Sequence, residues 1–277
     1  MLTHTFVHIS GIGRKTEARF WAAGMGAPAE VTRAAAAALP AAKLRLVRAE
    51  LESAPPFAQR GPDYWAARLP ARELWRLFPR YRPSTAFLDI ETTGYQDHNA
   101  ITAITVYDGI TVHTFVRGQN LEEFARLIGG YEVIVTYNGK GFDVPMIERE
   151  LDVRLNQAHL DLRPLLANLG FSGGLKGCEK MLGLDRGELN GVDGWHAVLL
   201  WREYKRTGDR QALNTLLAYN VADAINLEPL MVEVYNRNVA QTPFAGTLLL
   251  PTPSPASNPY QADQRLLAKI RDRIGSR

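Results

Sequence analysis

Residues 85–94 read TAFLDIETTG. The run is apolar enough for a buried strand, yet it carries two carboxylates, Asp89 and Glu91, one residue apart. Side chains alternate along a strand, so residues i and i+2 share a face. Asp89 and Glu91 therefore point the same way, and Ile90 points the other way into a core. Two unpaired carboxylates on one face repel each other and resist desolvation. A divalent cation held by oxygen ligands is an obvious compensation. A strand that simply ends in solvent would carry the same pair, so the other acids of the chain decide.

Composition narrows the classes. A chain of 277 residues with 46% apolar content suits one large domain or two smaller ones and excludes global disorder. No apolar run approaches the ~20 residues of a membrane span. The opening MLTHTFVHISGIGRK lacks the basic start and apolar block of a secretory signal. The expectation is a cytoplasmic protein with no membrane partner. Cys178 is the single cysteine, which excludes an intramolecular disulfide and a cysteine-built zinc site. Charge is uneven: residues 1–82 hold 13 basic and 6 acidic side chains, net +7, whereas residues 83–277 hold 19 and 23, net −4. Arginine outnumbers lysine 25 to 7, which suits bidentate phosphate contacts and is equally what a GC-rich genome produces.

Residues 1–82 read as helical and basic, broken at Gly24, Pro40 and Pro79. Gly11-Ile12-Gly13 before a helix is a possible helix-hairpin-helix-like element, in which glycine amides hold a phosphate. A tight turn docking that helix explains it as well. Trp65 and Trp75 are candidate stacking surfaces, but their helical spacing favours core packing. From residue 85 the pattern changes. Three strands come first, the second and third joined around Asp108-Gly109, a hairpin signal. Then follow an amphipathic helix over LEEFARLIGG, an apolar strand over YEVIVTYNG, a helix opening near Pro145, a short strand at HLDL, and further helices. This order predicts an α/β fold: a mixed sheet of about five strands over residues 83–240, with helices on both faces. Residues 241–277 read as a Pro/Ser-rich linker and a short basic C-terminal helix.

The fourth strand runs into YNGKGFD, so Asp143 lies just beyond a strand end, where α/β sites gather. An N-cap would also place Asp there. Asn138, Gly139 and Gly141 permit close backbone approach. Farther on, LLAYNVADAINLEPL is strongly helical. Tyr219 and Asp223 are four residues apart and share a face.

Together, DIETTG, YNGKGFD and YNVAD resemble the three motifs of the DEDD superfamily of 3′–5′ exonucleases, which have a ribonuclease H-like fold. The Tyr-x-x-x-Asp spacing is similar to the tyrosine branch, since the histidine branch needs His at position 218, which is Ala. GGLKGCEKMLGL, WREYKRTGD and the opening HISGIGRKTEARFWAAG resemble the YprB-like members. The resemblance implies that Asp89, Glu91, Asp143 and Asp223 hold two Mg²⁺ or Mn²⁺ ions. Asp89 would lie between both, Glu91 and Asp223 at one, and Asp143 at the other. Tyr219 would aim the attacking water, because an ordinary phenol is too weakly acidic to remove its proton in bulk. The implied substrate is DNA or RNA with a free 3′ end. Thr92, Thr93 and Gly94 would face the terminal nucleotide, Asn138 its sugar or the loop, and Lys140 and Lys176 its phosphates. Asp161 reads as a cap or structural acid, and His98 as a loop residue near the cleft. The competing readings are a nucleic-acid-binding module without catalysis and a structure-selective endonuclease on the same fold.

Overall fold

The computed structural model describes residues 1–30, 37–94, 99–254 and 256–275. It divides into two compact units, Met1–Arg82 with Val232–Thr252, and Pro83–Met231 with Pro253–Arg277.

The first unit carries helices α1 (Arg14–Ala22), α2 (Ala41–Ser53), α3 (Pro62–Arg68) and α4 (Phe78–Tyr81), with a 3₁₀ run over Ala71–Leu77 leading into α4. Phe6, Ile9, Ile12, Phe20, Met25, Leu44 and Val47 form an apolar core. Ile12 of the Gly-Ile-Gly stretch is buried there, and Gly13 caps α1. Trp65, Trp75 and Phe78 are buried. Buried charge is paired: Arg76 holds Glu17 at 2.7 Å and Glu73 at 2.9 Å, and Arg14 reaches Glu73 as well.

In the second unit, five strands among the described residues form one sheet: β1 (Thr85–Thr92), β2 (Ile101–Tyr107), β3 (Val112–Val116), β4 (Val133–Thr136) and β5 (Ala158–Asp161). Their order is β3-β2-β1-β4-β5. β1 is antiparallel to β2 and parallel to β4, β3 is antiparallel to β2, and β5 is parallel to β4. The sheet is mixed, as the sequence pattern requires. The β2–β3 connection is held by Asp108, whose Oδ1 accepts from the amides of Ile110 at 2.9 Å and Thr111 at 2.7 Å.

Helices cover both faces. On one side Leu88, Ile90 and Ile104 pack with Phe124 and Ile128 of α5 (Phe124–Ile128) and with Met146 and Ile147 of α6 (Asp143–Leu151). Next come α7 (Leu162–Ala167) and α8 (Gly174–Met181). On the other side Ala103 and Val116 pack with α9 (Gly194–Thr207) and α10 (Arg210–Ile225). α10 starts where Asp209 accepts from the Gln211 amide at 2.9 Å. Its residues 215–224 are all buried, which explains its apolar composition. The chain continues through α11 (Leu227–Val239), α12 (Ala245–Leu248) and α13 (Gln264–Gly275). Composition suggested a limit near 240, but contacts group Val232–Thr252 with the first unit. Tyr235 meets Trp75 edge-on at 5.7 Å, and Asn238 accepts from Arg14 at 3.2 Å. Among the described residues no helix is long and apolar enough to cross a membrane.

Candidate metal centre

β1 supplies the first two acids. In the antiparallel register Asp89 faces Thr105 and Glu91 faces Ala103, and the pairing shifts between Glu91 and Thr92. The face holding Asp89, Glu91 and Ala103 is the one α10 covers. Asn220 Nδ2 donates to Asp89 Oδ2 at 2.7 Å, and Asn220 Oδ1 accepts from Thr105 Oγ1. Asp223 lies three residues, just under one helical turn, beyond Asn220. One carboxylate oxygen from each of Asp89, Glu91 and Asp223 lies within 4.8 Å of the others. Three acids far apart in sequence thus converge because a strand alternates its side chains and a helix repeats its own.

Asp143 is the first residue of α6 and is buried, but it stands outside that tight group. β1 pairs with β4 only over Thr85–Phe87. Past that point the Ile90 amide, together with Asp143's own, hydrogen-bonds the Asp143 carboxylate. The loop before α6 is shaped by Asp161, which accepts from the amides of Asn138 at 2.8 Å, Lys140 at 3.2 Å and Arg163 at 3.1 Å. Asn138 takes the left-handed conformation at φ +67°. Gly139 is obligatory, since a Cβ there would lie 2.3 Å from Thr136 Oγ1. A Cβ at Gly141 would make only an ordinary contact, 3.8 Å from the Asn138 carbonyl oxygen, so the close approach read from two glycines belongs to Gly139 alone.

The electrostatics follow from this crowding. Burial, then the charges of Asp223, Glu91 and Asp143, push the Asp89 carboxyl well above the usual range, and the Asn220 hydrogen bond pulls it back in part. Burial and Asp223 push Glu91 up likewise, opposed by Lys176. Burial raises Asp143 to about 7. Among the described residues no lysine or arginine forms an ion pair with Asp89, Glu91 or Asp143. Tyr219 is raised by burial and by the charges of Asp223, Glu91 and Asp89, so it stays a neutral phenol.

Two cations border the cluster. Lys176 Nζ donates to the Tyr219 hydroxyl and lies 4.4 Å from that ring's centre. Arg186, which sequence reasoning missed, is buried and bridges Asp223 to Glu179, the latter at 2.7 Å. Asn226 also donates to Glu179, at 2.8 Å. Asn220 was missed too, although a fully buried Asn in an apolar helix beside Tyr219 and Asp223 is a readable signal.

The remaining expected contacts are scattered. Thr92 is buried and accepts from the Gly94 amide at 3.3 Å. Thr93 pairs with Ala100 through backbone and hydroxyl. Gly94 has φ +79°, and a Cβ there would press on Val198 at 3.3 Å. Asn138 Oδ1 accepts from Arg163 at 2.7 Å, and Lys140 is exposed. His98 lies outside the described residues.

The family model of the RNase_H superfamily (RNase_H_2) matches residues 86–235, the whole sheet with α5 to α10 and much of α11. The chain belongs to the RNase H superfamily. The mixed five-strand sheet with flanking helices is the ribonuclease H-like fold of that superfamily. Among solved structures, the family B DNA polymerase from the hyperthermophilic archaeon Pyrobaculum calidifontis is similar over 60% of this chain at 16% identity, with a TM-score of 0.44. The chain spans 27% of that polymerase chain. No curated protein sequence matches at a significant level.

The donor set of this RNase H superfamily site fits a hard dication. All its candidate ligands are carboxylate oxygens, Asp89 remains half-buried rather than sealed, and the acids hold one another's pKa values up. Neither cysteine nor histidine contributes, which disfavours a zinc-type site.

Proposed function

We propose that this chain is a metal-dependent exonuclease that hydrolyses phosphodiester bonds from a free 3′ end. In this reading it is a tyrosine-type member of the DEDD superfamily with a YprB-like domain. The observation that carries the reading is the convergence of Asp89, Glu91 and Asp223 within 4.8 Å, with Asp143 charging the same space. Asp89, Glu91 and Asp223, with Asp143 alongside, would hold two Mg²⁺ or Mn²⁺ ions. Such ions activate water as nucleophile and stabilise the leaving oxygen.

The chain's own groups do the rest. Asn220 fixes the Asp89 carboxylate through one oxygen and leaves the other for a ligand. Arg186 fixes Asp223 in the same way through Oδ1. Tyr219 keeps its proton, so its hydroxyl orients the attacking water by hydrogen bonding rather than by removing a proton. Lys176, which contacts that hydroxyl, is the cation best placed to meet a substrate phosphate. Its ammonium is drawn below its ordinary pKa by burial, against the pull of Asp223.

The test is a panel of 5′-labelled DNA and RNA, single- and double-stranded, with Mg²⁺ or Mn²⁺. The expected result is a ladder shortening from the 3′ end that stalls on a blocked 3′ terminus and vanishes in Asp143→Ala. Internal cuts in a blocked substrate would instead make the protein an endonuclease. Binding without shortening would make it a binding module.

A further inference from the structure

The arginines of the first unit fall into two sets. Arg14, Arg72 and Arg76 are ion-paired with Glu17 or Glu73. Arg60, Arg68 and Arg80 have no carboxylate within ion-pairing distance among the described residues. They sit over aromatic rings instead. Arg68 lies 4.0 Å from the Tyr64 ring centre, Arg60 lies 5.1 Å from Tyr64 and 5.6 Å from Trp65, and Arg80 lies 4.8 Å from Phe57. Arg68 and Arg80 are exposed, and Arg60 is half-buried with Nε donating to the Pro55 carbonyl at 2.9 Å. The acidic group in contact with this patch is Glu50, which accepts from the Tyr64 hydroxyl and lies 3.6 Å from His8 Nε2.

A guanidinium lying over a ring keeps N–H donors that no carboxylate has taken. Such donors are what a phosphate oxygen binds. Beside them opens a pocket of about 230 Å³, walled by Leu2, Phe57, Trp65 and Leu51, with Arg60 also lining it. That is smaller than the ~300–1,000 Å³ of sites for drug-sized ligands, and suits one planar ring. Trp65, in its wall, is buried with an indole nitrogen that lacks a hydrogen-bond partner among the described residues, and His8 beside it is buried against the Thr5 backbone and Glu50. Burial lowers the His8 pKa to about 3, so its imidazole is neutral, with one donor and one acceptor.

We propose that Arg60, Arg68 and Arg80 form a phosphate-contacting face for single-stranded nucleic acid, and that the pocket walled by Leu2, Leu51 and Phe57 receives one unstacked base. The choice of partner rests on the nuclease reading above; the face itself rests on the unpaired, ring-seated arginines. Single strands are held elsewhere by this combination of a basic track and aromatic stacking. The face is distinct from the Gly-Ile-Gly turn, whose isoleucine is committed to the core.

The experiment is fluorescence anisotropy of the full chain with a short labelled single-stranded oligonucleotide, in EDTA and over a range of KCl. Each phosphate neutralised on a single strand contributes about 0.7 to the slope of log affinity against log salt. The triple variant Arg60→Gln, Arg68→Gln, Arg80→Gln is expected to bind more weakly and to lose about 2 from that slope, with its melting temperature recorded alongside. Arg72→Gln, an exposed arginine of the paired set, is expected to bind as wild type. Ala29→Trp, which fills the pocket without altering charge, is expected to weaken binding severalfold at an unchanged slope. A triple variant with wild-type affinity and slope overturns the phosphate face, and an Ala29→Trp protein with wild-type affinity overturns the base pocket. Wild type that binds through this face but never shortens a strand sinks the nuclease reading and leaves the face standing. Wild type that cleaves while the triple variant binds normally does the reverse.

Discussion

The two units treat buried acid in opposite ways. In the first, Glu17 and Glu73 are almost fully enclosed, and each is held by Arg76, with Arg14 added at Glu73. In the second, Asp89, Glu91 and Asp143 share a face and a strand end with no ion-paired base among the described residues, and their pKa values rise. The first arrangement is complete as it stands and serves stability. The second is incomplete without a cation, and that incompleteness marks it as functional.

The contrast can be broken most severely at Asp89. Asp89→Asn is expected to reduce strand shortening to background while raising the melting temperature of the metal-free protein, because it removes repulsion and keeps an acceptor for Asn220. A loss of metal-free stability would mean that Asp89 belongs with the structural acids. Arg76→Met is the mirror experiment. It strands Glu17 and leaves Glu73 to Arg14 and Arg72, so urea unfolding is expected to show a loss of about 3–5 kcal/mol; an unchanged midpoint would deny that the pairs matter.

Tyr219→Phe sharpens the division within the site. It deletes only the hydroxyl that Lys176 contacts, so kcat is expected to fall about 10- to 100-fold, the range for groups that orient a metal centre. The Mn²⁺-induced shift in melting temperature should persist, and its disappearance would recast Tyr219 as part of the ligand cage.

The most gradual effect is on the pH dependence of stability. The folded pKa of Asp143 is near 7, above its unfolded value of about 4. Over that interval the folded chain keeps a proton that the unfolded chain has released, so stability falls as pH rises. Each such group contributes at most ~1.4 kcal/mol per pH unit. Asp89 and Glu91 act in the same direction. Urea midpoints in EDTA should therefore decline from about pH 4 to about pH 7, and saturating Mn²⁺ should flatten the decline. A midpoint that rises through this window in EDTA would contradict the raised carboxyls.

Much of the fold was legible because its signals are local. Alternation in TAFLDIET gave β1, and β-branched runs around Asp108-Gly109 gave β2 and β3. The division between Met231 and Val232 was not legible. α11 runs through it, and what assigns Val232–Thr252 is packing, such as Tyr235 on Trp75, which no composition shift records. In the site, periodicity put Asp89 with Glu91 on one strand face and Tyr219 with Asp223 on one helix face, and only the family resemblance joined the strand to the helix. Arg186 was not. It lies in an irregular stretch after α8 with no period to read, and only folding brings it to Asp223. The ring-seated arginines escaped for a related reason. A count of +7 registers charge but does not say which arginines already have an acid.

The most direct measurement is a calorimetric titration of Mn²⁺ into the metal-free chain, beside Asp89→Asn. The account predicts saturable binding to two sites in the wild-type protein, lost or strongly weakened in the variant. Equal binding by the two proteins, or none by either, would contradict it.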